Sequence, residues 1–420
     1  MTRRAGGALL ATFLLLTAGC ATAASSTAAP SRGTAAPGAG AAGLGAVRPA
    51  QPLCSTTTQP APSLPAGATA MTKANAPGTP GGVLSEGSPF GVAVAPGGRW
   101  AFATVGAALA VLRLSADRPA APVHSIALPE DTEGVALAPD GRYLLLAGGN
   151  GATVVSVPAA EQGSSQAVLG ELSAPGGSGT TNAIEVAVST NGRYAFVSLE
   201  YSNQIAVFDL SAAVAGGFSG DDGYVGTIPT QAYPVGLAAS PDGQWLYATS
   251  EAETAHTVVG TLAVISVPKA ESDPAASVVA TVPAGCNPVR VITSADGSVV
   301  WVTARASDAL LAFSADRLRT DPAHALVADV RVGEAPVGLA LAKNGSLVVV
   351  ADSNRFGAAK SASLAVVDVA RALADRSALV GYLPAGQFPR DMVASPGGGT
   401  VLVANYDSGQ IETVNLAKLP

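Results

Sequence analysis

The sequence lacks the short motifs of metal, haem and nucleotide chemistry. It has only three cysteines and three histidines in 420 residues. No Cys-x-x-Cys-His haem attachment, zinc-ligand spacing, phosphate-binding loop or nucleophile elbow is present. Asp221 and Asp222 in FSGDDGYVG do not have the alternating ligand spacing of an EF-hand, so we interpret them as a polar turn. We therefore expect no cofactor and no metal site.

Positive charge is also scarce. The chain has 23 basic and 30 acidic residues, and every acidic residue follows Gly82, where 18 basic residues remain and the formal charge is −12. Aromatic residues make up only 5% of the chain. Because nucleic-acid binding needs a basic surface to displace counterions, this composition argues against a nucleic-acid partner.

Apolar residues form one long uninterrupted segment, at the N-terminus. MTRRAGGALLATFLLLTAGC has two arginines, an apolar stretch and then small residues before Cys20, which are the three regions of a secretory signal. The stretch is too short for a permanent membrane-spanning helix. The ending LTAGC resembles the lipobox of bacterial lipoproteins, which predicts a signal at 1–20 and a lipidated Cys20 that attaches the protein to a membrane. Cleavage at an ordinary signal site, with Cys20 incidental, is the alternative.

The segment after this signal, residues 21–78, is nearly all Ala, Pro, Gly, Ser and Thr. Such a segment cannot bury enough apolar surface to offset its loss of conformational entropy, so we expect a flexible tether before a folded domain at 79–420. Cys54 lies in this tether and Cys286 lies in the domain. Export makes a disulfide between them chemically possible, and two unpaired thiols are the alternative.

Glycine and proline, by contrast, are abundant, with 48 and 30 copies, and they mark an internal repeat. Two apolar runs around a Pro-Asp-Gly-like turn, followed by a third run, recur seven times at spacings of 43 to 54 residues. A fourth, weaker run precedes the next copy. Four short antiparallel strands per unit predict an all-β fold, a seven-bladed β-propeller of four-stranded blades. The turn glycines are Gly98, Gly141, Gly192, Gly243, Gly297, Gly345 and Gly398.

The seventh copy ends after its third strand, in VLVANYDSGQIETVNL. A propeller avoids an open edge when a strand from the other end of the chain completes the last blade. Val83 and Leu84 precede the first copy just as an outer strand precedes each later copy. We therefore predict that an N-terminal strand at this pair closes the ring.

Charged residues interrupt the small residues of the predicted innermost strands. Four copies have glycine at the start of this strand, whereas the others have Glu185, Arg290 or Asp391, and Glu133 and Arg390 are adjacent to this position. A charge beside a narrow channel is costly unless it is paired or hydrated. These five residues either form a mutually neutralising ring that locks the blades, or bind a carboxylate, phosphate or sugar group through Arg290 and Arg390, with Glu185 or Asp391 as a candidate catalytic base.

The loops between the second and third strands open on the same face and add polar residues to this predicted mouth. Arg305, Arg355 and Tyr406 are candidate ligand-binding residues there. His256 lies in one of the longest of these loops and is the second candidate catalytic residue, although a single loop histidine is more often a surface residue. The same loops hold Glu200, Tyr201 and Glu251.

Three third-strand segments carry a resemblance to a known family. VANYDSGQIETVNL, VSLEYSNQIAVFDL and the pair VADSN and SLAVVDV resemble the Tyr-Val-Thr-Asn repeat of bacterial surface-layer and lactonase-like seven-bladed propellers. The similarity covers about residues 80–420. The resemblance implies an extracytoplasmic propeller, and it implies lactonase activity only as one of the functions found on this scaffold. No local motif assigns the catalytic residues of the lactonases to positions of this chain.

These observations favour a binding or scaffolding module over an enzyme. We expect a monomer that is exported and lipid-anchored, on the outer face of the bacterial cell membrane or in the periplasm. Its partner, besides the membrane, is expected to be a small anionic or sugar ligand, or an envelope protein, at the charged channel mouth. A lactonase-like hydrolase of a small sugar lactone or ester is the alternative.

Overall fold

The computed structural model describes residues 54, 78–79, 87–115, 118–176, 182–252, 258–357, 359, 361–396 and 398–416. The predicted signal and Cys20 lie outside these residues, as does the predicted tether apart from Cys54 and Gly78. In the described part, seven sheets form a ring and only 12% is helical. The predicted all-β, seven-bladed β-propeller is therefore confirmed. None of the described helices is long and apolar enough to span a membrane.

Each blade contains four antiparallel strands, and in blades 1 to 6 the chain runs from the innermost strand outwards. Blade 1 has Val92–Val94, Trp100–Thr104, Gly106–Ser115 and Arg118–Thr132. Blade 2 has Val135–Leu137, Tyr143–Gly148, Gly151–Ser156 and Val168–Ser173. Blade 3 has Ala183–Val188, Tyr194–Leu199, Gln204–Asp209 and Tyr224–Pro229. Blade 4 has Pro234–Ala239, Trp245–Ser250, Val259–Ser266 and Val278–Cys286.

The second half of the ring repeats this plan. Blade 5 has Pro288–Thr293, Val299–Ala304, Ala309–Ser314 and Leu326–Arg331. Blade 6 has Pro336–Ala342, Leu347–Asp352, Ser363–Asp368 and Leu379–Pro384. Blade 7 has Pro389–Ala394, Thr400–Asn405, Gln410–Asn415 and, as its outermost strand, Gly78–Thr79. A short strand, Ser219–Gly220, runs parallel to the outer edge of blade 2 and makes it five-stranded.

In the described part of the chain, short helices occupy the connections and none exceeds two turns. Five α-helices follow the third strands of blades 2 to 6, at Val157–Glu161, Leu210–Ala215, Val267–Ala270, Ala315–Thr320 and Val369–Leu373. Four of them begin after a serine or aspartate whose side chain accepts hydrogen bonds from the first turn, as expected for N-capping residues. Single 3-10 turns lie at Glu200–Ser202, Pro274–Ala276, Arg305–Ser307 and Pro322–His324.

The hairpins form where the repeat predicts them. All seven turn glycines have φ between +65° and +82°, a conformation that L side chains rarely adopt, which explains why glycine recurs there. The residue before glycine often helps: Asp242 Oδ1 accepts a hydrogen bond from Gln244 N at 3.0 Å. The repeat thus encodes the turn and the register between the first and second strands of each blade.

The hydrophobic core lies between blades rather than in one central mass. Seven buried clusters each join two neighbouring blades, including one between blades 7 and 1. Between blades 2 and 3, for example, Leu145 packs in the same cluster as Phe208. Burial of one such side chain contributes roughly 1.5–3 kcal/mol. The innermost strands of neighbouring blades contact one another around the whole ring, so the ends of these strands surround one central channel.

The ring is closed by an N-terminal strand, as predicted. Gly78 pairs with Val414 and Thr79 pairs with Thr413, antiparallel to the third strand of blade 7. This strand lies before the predicted pair Val83–Leu84, which falls outside the described residues. The closure has a second link, because Ala120 N of blade 1 donates a hydrogen bond to Thr413 Oγ1 at 3.1 Å.

Cys54 and Cys286 form a disulfide, which decides between the two alternatives left by the sequence. Their Cα atoms are 5.3 Å apart, and the bond joins residues 232 positions apart in the chain. Cys286 ends the outermost strand of blade 4 and is fully buried. The disulfide therefore attaches the N-terminal segment to blade 4, whereas the strand Gly78–Thr79 attaches it to blade 7.

Candidate ligand-binding site at the channel mouth

Two consecutive positions at the start of the innermost strands form two stacked rings around the channel. In blades 3 to 7 the ladder between the first and second strands shifts register here, and such bulges re-aim side chains. The ring nearer the mouth, here called the collar, is Phe90, Glu133, Ile184, Val235, Val289, Val337 and Arg390. The ring beneath it, here called the inner ring, is Gly91, Gly134, Glu185, Gly236, Arg290, Gly338 and Asp391.

The collar is mainly apolar. Five of its residues, from five different blades, pack together in one buried cluster, so they meet at the channel axis: Phe90, Ile184, Val235, Val289 and Val337. Phe388 and Tyr406 pack against this cluster from the loops of blade 7. The two remaining collar positions are charged, Glu133 and Arg390, and they flank Phe90 in the order of the blades.

The inner ring contains an ion cluster. Arg290 Nη2 lies 3.3 Å from Glu185 Oε2, and Arg290 Nε lies 3.9 Å from Asp391 Oδ1. Asp391 also accepts a hydrogen bond from Val92 N at 2.9 Å. Arg290 thus joins blades 3, 5 and 7 beneath the collar. Burial raises the pKa of Glu185 to about 7, although Arg290 opposes the shift, and burial also raises the pKa of Asp391.

The inner-ring glycines are required by the close approach of neighbouring blades. A Cβ atom on Gly134 would lie 2.5 Å from Glu185 Oε1, and one on Gly236 would lie 2.2 Å from the carbonyl oxygen of Val289. Hydroxyl groups on the second strands join the same blades, since Thr249 Oγ1 donates to Val289 O at 2.6 Å. Only the side chains that form the ion cluster therefore find space at this level.

Above the collar lies a cavity of about 340 Å3, a size common for small-molecule sites. Its apolar wall is formed by Ile184, Val235, Val289, Val337 and Phe388. Its polar wall is formed by Glu133, Asn182, Glu200, Tyr201, Glu251, Arg290, Arg305, Arg355 and Arg390. The acids come from blades 2 to 4 and the arginines from blades 5 to 7, so the charge around the mouth is not evenly distributed.

Arg305 and Glu251 form an ion pair with each other at the mouth. Arg305 Nη2 lies 2.8 Å from Glu251 Oε2, and Asn287 Nδ2 donates to the same oxygen at 3.5 Å. On the neighbouring blade, Glu200 Oε2 accepts a hydrogen bond from Asn182 Nδ2 at 2.6 Å but makes no ion pair with a described residue. These contacts fix both carboxylates at the ends of their second strands.

Arg390 is held by aromatic rings. Its guanidinium carbon lies 3.6 Å from the centre of the Phe90 ring, 5.6 Å from that of Phe388 and 5.5 Å from that of Tyr406. Arg355 lies 5.7 Å from the centre of the same Phe388 ring. Cation–π contacts of this kind orient a guanidinium without neutralising it. Neither arginine forms an ion pair with a carboxylate among the described residues.

Burial changes the ionisation of the charged collar residues. It raises the pKa of Glu133 to about 7, although Arg390 and Arg290 oppose the shift. It lowers the pKa of Arg390 to about 10, and repulsion from Arg290 adds to this effect. Glu133 Oε2 and Arg390 Nε are buried and have no hydrogen-bond partner among the described residues. A carboxyl group that titrates near neutral pH therefore faces the cavity.

The raised pKa values predict that stability falls as the pH rises. Glu133 and Glu185 have an ordinary pKa of 4.5 that is raised to about 7 on folding, so the folded state holds protons that the unfolded state has lost. Their contribution is therefore complete below about pH 4.5 and is lost as the pH rises through 7. We expect the free energy of unfolding to decrease by roughly 2–3 kcal/mol for each of these two groups between pH 5 and pH 8.

Urea unfolding at several pH values checks this prediction. The double variant Glu133→Gln, Glu185→Gln should show a shallower decrease, whereas a variant of an exposed acid, Asp375→Asn, should follow the parent protein. Buried Asp352, whose pKa burial also raises, keeps its part of the slope in all three proteins. An unchanged slope in the double variant would contradict the assignment.

The structure brings most of the predicted site residues together. Glu133, Arg290, Arg305, Arg355 and Arg390 line the cavity. Glu185 and Asp391 lie beneath it in the ion cluster, and Tyr406 packs against the ring of Phe90 at 6.4 Å. His256 lies outside the described residues.

The sequence-based selection missed the apolar collar and Asn182. Each collar residue directly precedes the glycine or charged position of its repeat, so the aligned copies already contained the signal. The signal was overlooked because, in the sequence, an apolar residue at this position cannot be distinguished from a residue of the hydrophobic core.

A second compartment of about 450 Å3 adjoins the cavity and shares Glu133, Asn182 and Tyr201 with it. It is lined in addition by Glu130 and Asp131, from the end of the outermost strand of blade 1. Burial and repulsion from Glu171 and Asp131 raise the pKa of Glu130. The acidic side of the mouth therefore continues outwards.

Comparison with known proteins supports the fold and leaves the family open. No protein-family model matches the chain, and no curated protein matches it. Among solved structures, the chain is similar to hydrazine synthase of Kuenenia stuttgartiensis, with a TM-score of 0.63 and 17% sequence identity over 80% of this chain and 97% of that chain. At this identity the similarity shows a shared propeller fold and nothing about activity.

Proposed function

We propose that this propeller is a binding or scaffolding module that recognises a small anionic or sugar ligand at its channel mouth. One observation carries the proposal: Arg355 and Arg390 face a cavity of about 340 Å3 and have no carboxylate partner among the described residues. A guanidinium that aromatic rings orient in this way can donate hydrogen bonds to a bound carboxylate or phosphate.

We also propose that the module acts in the bacterial cell envelope. The signal at 1–20, the lipobox cysteine Cys20 and the Ala/Pro/Gly-rich segment support export and a membrane anchor. The disulfide between Cys54 and Cys286 supports the same location, because such bonds persist in oxidising compartments. The resemblance to Tyr-Val-Thr-Asn repeat propellers agrees with a position outside the cytoplasm.

A lactonase-like hydrolase is the second candidate function, and Glu133 favours it. A general base works best when its pKa is close to the ambient pH, and the pKa of Glu133 is raised to about 7 by burial. Arg390 lies close enough to oppose this shift and would bind the oxygen of a lactone carbonyl. Glu133 therefore replaces Glu185 as the candidate base, because Glu185 lies beneath the collar in an ion pair with Arg290.

A thermal-shift screen of the full-length protein tests both candidates. Gluconate, glucuronate, hexanoate and glucono-δ-lactone serve as probes, and a ligand at about 100 times its Kd should add roughly 2.7 kcal/mol of stability. Arg390→Ala should abolish the shift, whereas Arg376→Ala, an exposed loop variant, should keep it. A shift retained in Arg390→Ala, or no shift with any probe, contradicts binding at the mouth. Lactone hydrolysis that Glu133→Gln abolishes would establish the second candidate, and no hydrolysis would remove it.

A further inference from the structure

Four charges at the mouth remain without an ion-pair partner in the described part of the chain. Arg290 is paired in the inner ring and Arg305 is paired with Glu251 at 2.8 Å. The four that remain are Glu133, Glu200, Arg355 and Arg390, and all of them line the same cavity. A ligand that neutralises only the arginines would leave two carboxylates facing it.

The four charges are segregated across the channel. Glu133 belongs to blade 2 and Glu200 follows the second strand of blade 3, whereas Arg355 follows the second strand of blade 6 and Arg390 belongs to blade 7. In a ring of seven blades, blades 2 and 3 lie on the side opposite blades 6 and 7. The apolar collar residues separate the two sides.

We infer that the ligand of the mouth is a zwitterion, with an ammonium group facing Glu133 and Glu200, a carboxylate facing Arg355 and Arg390, and a short apolar body over the collar. The inference rests on the proposed function and narrows its ligand class. A short peptide with free termini has this chemistry. Its carboxylate can accept two parallel hydrogen bonds from a planar guanidinium group. Its ammonium group can donate hydrogen bonds to ionised carboxylates, which only accept them.

The buried polar atoms of the cavity support a ligand with both kinds of hydrogen-bonding group. Arg305 is only 7% exposed, and its Nε, a donor, has no hydrogen-bond partner among the described residues. Glu133 Oε2, an acceptor, is also buried without a hydrogen-bond partner among the described residues. Buried polar groups in native structures normally have partners. The carbonyl and N–H groups of a peptide body supply one acceptor and one donor per residue, which a fatty acid or a simple amine does not.

The acidic compartment gives room on the ammonium side. It adds about 450 Å3 next to Glu133 and is lined by Glu130 and Asp131. None of the described residues that line this compartment is an arginine. A substituent near the amino terminus of the ligand therefore has space to extend, whereas the carboxylate end abuts the aromatic rings that hold Arg390.

Calorimetric titration of the full-length protein with three matched peptides tests the inference. The probes are trialanine, N-acetyl-trialanine, which lacks the ammonium, and trialanine amide, which lacks the carboxylate. We expect trialanine to bind at least about tenfold more tightly than either derivative, because each derivative leaves one side of the cavity unpaired. Glu133→Gln should weaken trialanine binding by a larger factor than N-acetyl-trialanine binding, since the charge of that carboxylate favours an ammonium group over a neutral amide N–H. Asp375→Asn, an exposed variant, should bind like the parent.

The outcomes separate this inference from the proposed function. If N-acetyl-trialanine binds as tightly as trialanine and Arg390→Ala abolishes both, the mouth binds carboxylates and the zwitterion is wrong. If none of the three peptides binds while gluconate or glucuronate does, the zwitterion is also wrong and the proposed function stands. If neither peptides nor anions bind, both fail.

Discussion

Replacing Arg290 with methionine is expected to lower the free energy of unfolding by about 3–5 kcal/mol. The guanidinium lies between Glu185 and Asp391, at 3.3 and 3.9 Å, and is 7% exposed. Its removal leaves two carboxylates beneath the collar with no positive partner at that level. The loss reflects the cost of the unpaired acids more than the strength of the ion pairs.

A compensating variant distinguishes this explanation from a packing defect. In Arg290→Met, Glu185→Gln, Asp391→Asn, the cluster carries no charge, so we expect at least half of the lost stability to return. The deficit of Arg290→Met alone should shrink as the pH falls, because the two acids then become neutral. Arg376→Met is the control for loss of an exposed arginine. Chemical denaturation at pH 8 and pH 5 measures the free energy of unfolding of the parent protein and of these variants. An equal loss of stability in the single and triple variants would contradict the charge argument.

The fold was predictable because the repeat carries both its turns and its strands. A glycine with positive φ at each of the seven turns fixes the hairpin, and alternation of apolar residues fixes the strands around it. Closure by an N-terminal strand followed from the missing fourth strand of the last copy. The position of that strand did not, because Gly78–Thr79 has no apolar pattern and is specified by backbone pairing with Val414 and Thr413 alone.

The candidate site was predictable in its composition but not in its organisation. Replacement of glycine by Glu185, Arg290 and Asp391 in three repeats indicated a special position. The sequence left two interpretations open, a neutralising ring and a ligand site; the structure has a neutralising cluster and, above it, a cavity lined by charged residues. Which arginine pairs with which acid depends on distances across the channel, and residues 100 or more positions apart in the chain set these distances. For the same reason the pairing of Cys54 with Cys286 could not be deduced from spacing.

The separation into two layers explains why the mouth retains unpaired charge. The inner ring has space for few side chains, as Gly134 and Gly236 show, and its charges neutralise one another. Because this cluster joins the blades, the charged residues of the collar and of the loops above it are not needed to hold the ring together. Of the two arginines above this level, Arg355 is exposed and keeps its contact with water, which a ligand can replace.

Loss of the disulfide is expected to lower stability by about 5 kcal/mol, the value that chain entropy gives for a closed loop of this length. The bond joins positions 232 residues apart. The strand that it supports is short in the described part of the chain, where Gly78 and Thr79 pair with blade 7. In the unfolded chain the bond restricts a long loop, and in the folded protein it fastens the segment that completes the ring.

Cys54→Ser is the cleaner substitution, because Cys286 is fully buried and a serine there would add an unpaired hydroxyl group. We expect Cys54→Ser, and the parent protein treated with a reductant, to unfold at the same lower midpoint in guanidinium chloride. Reductant should leave Cys54→Ser itself unchanged. Ligand binding at the mouth should survive in this variant at temperatures where it is folded, since Arg355 and Arg390 are positioned by blades 6 and 7. Coinciding midpoints for oxidised and reduced parent protein would show that the two-residue strand closes the ring unaided.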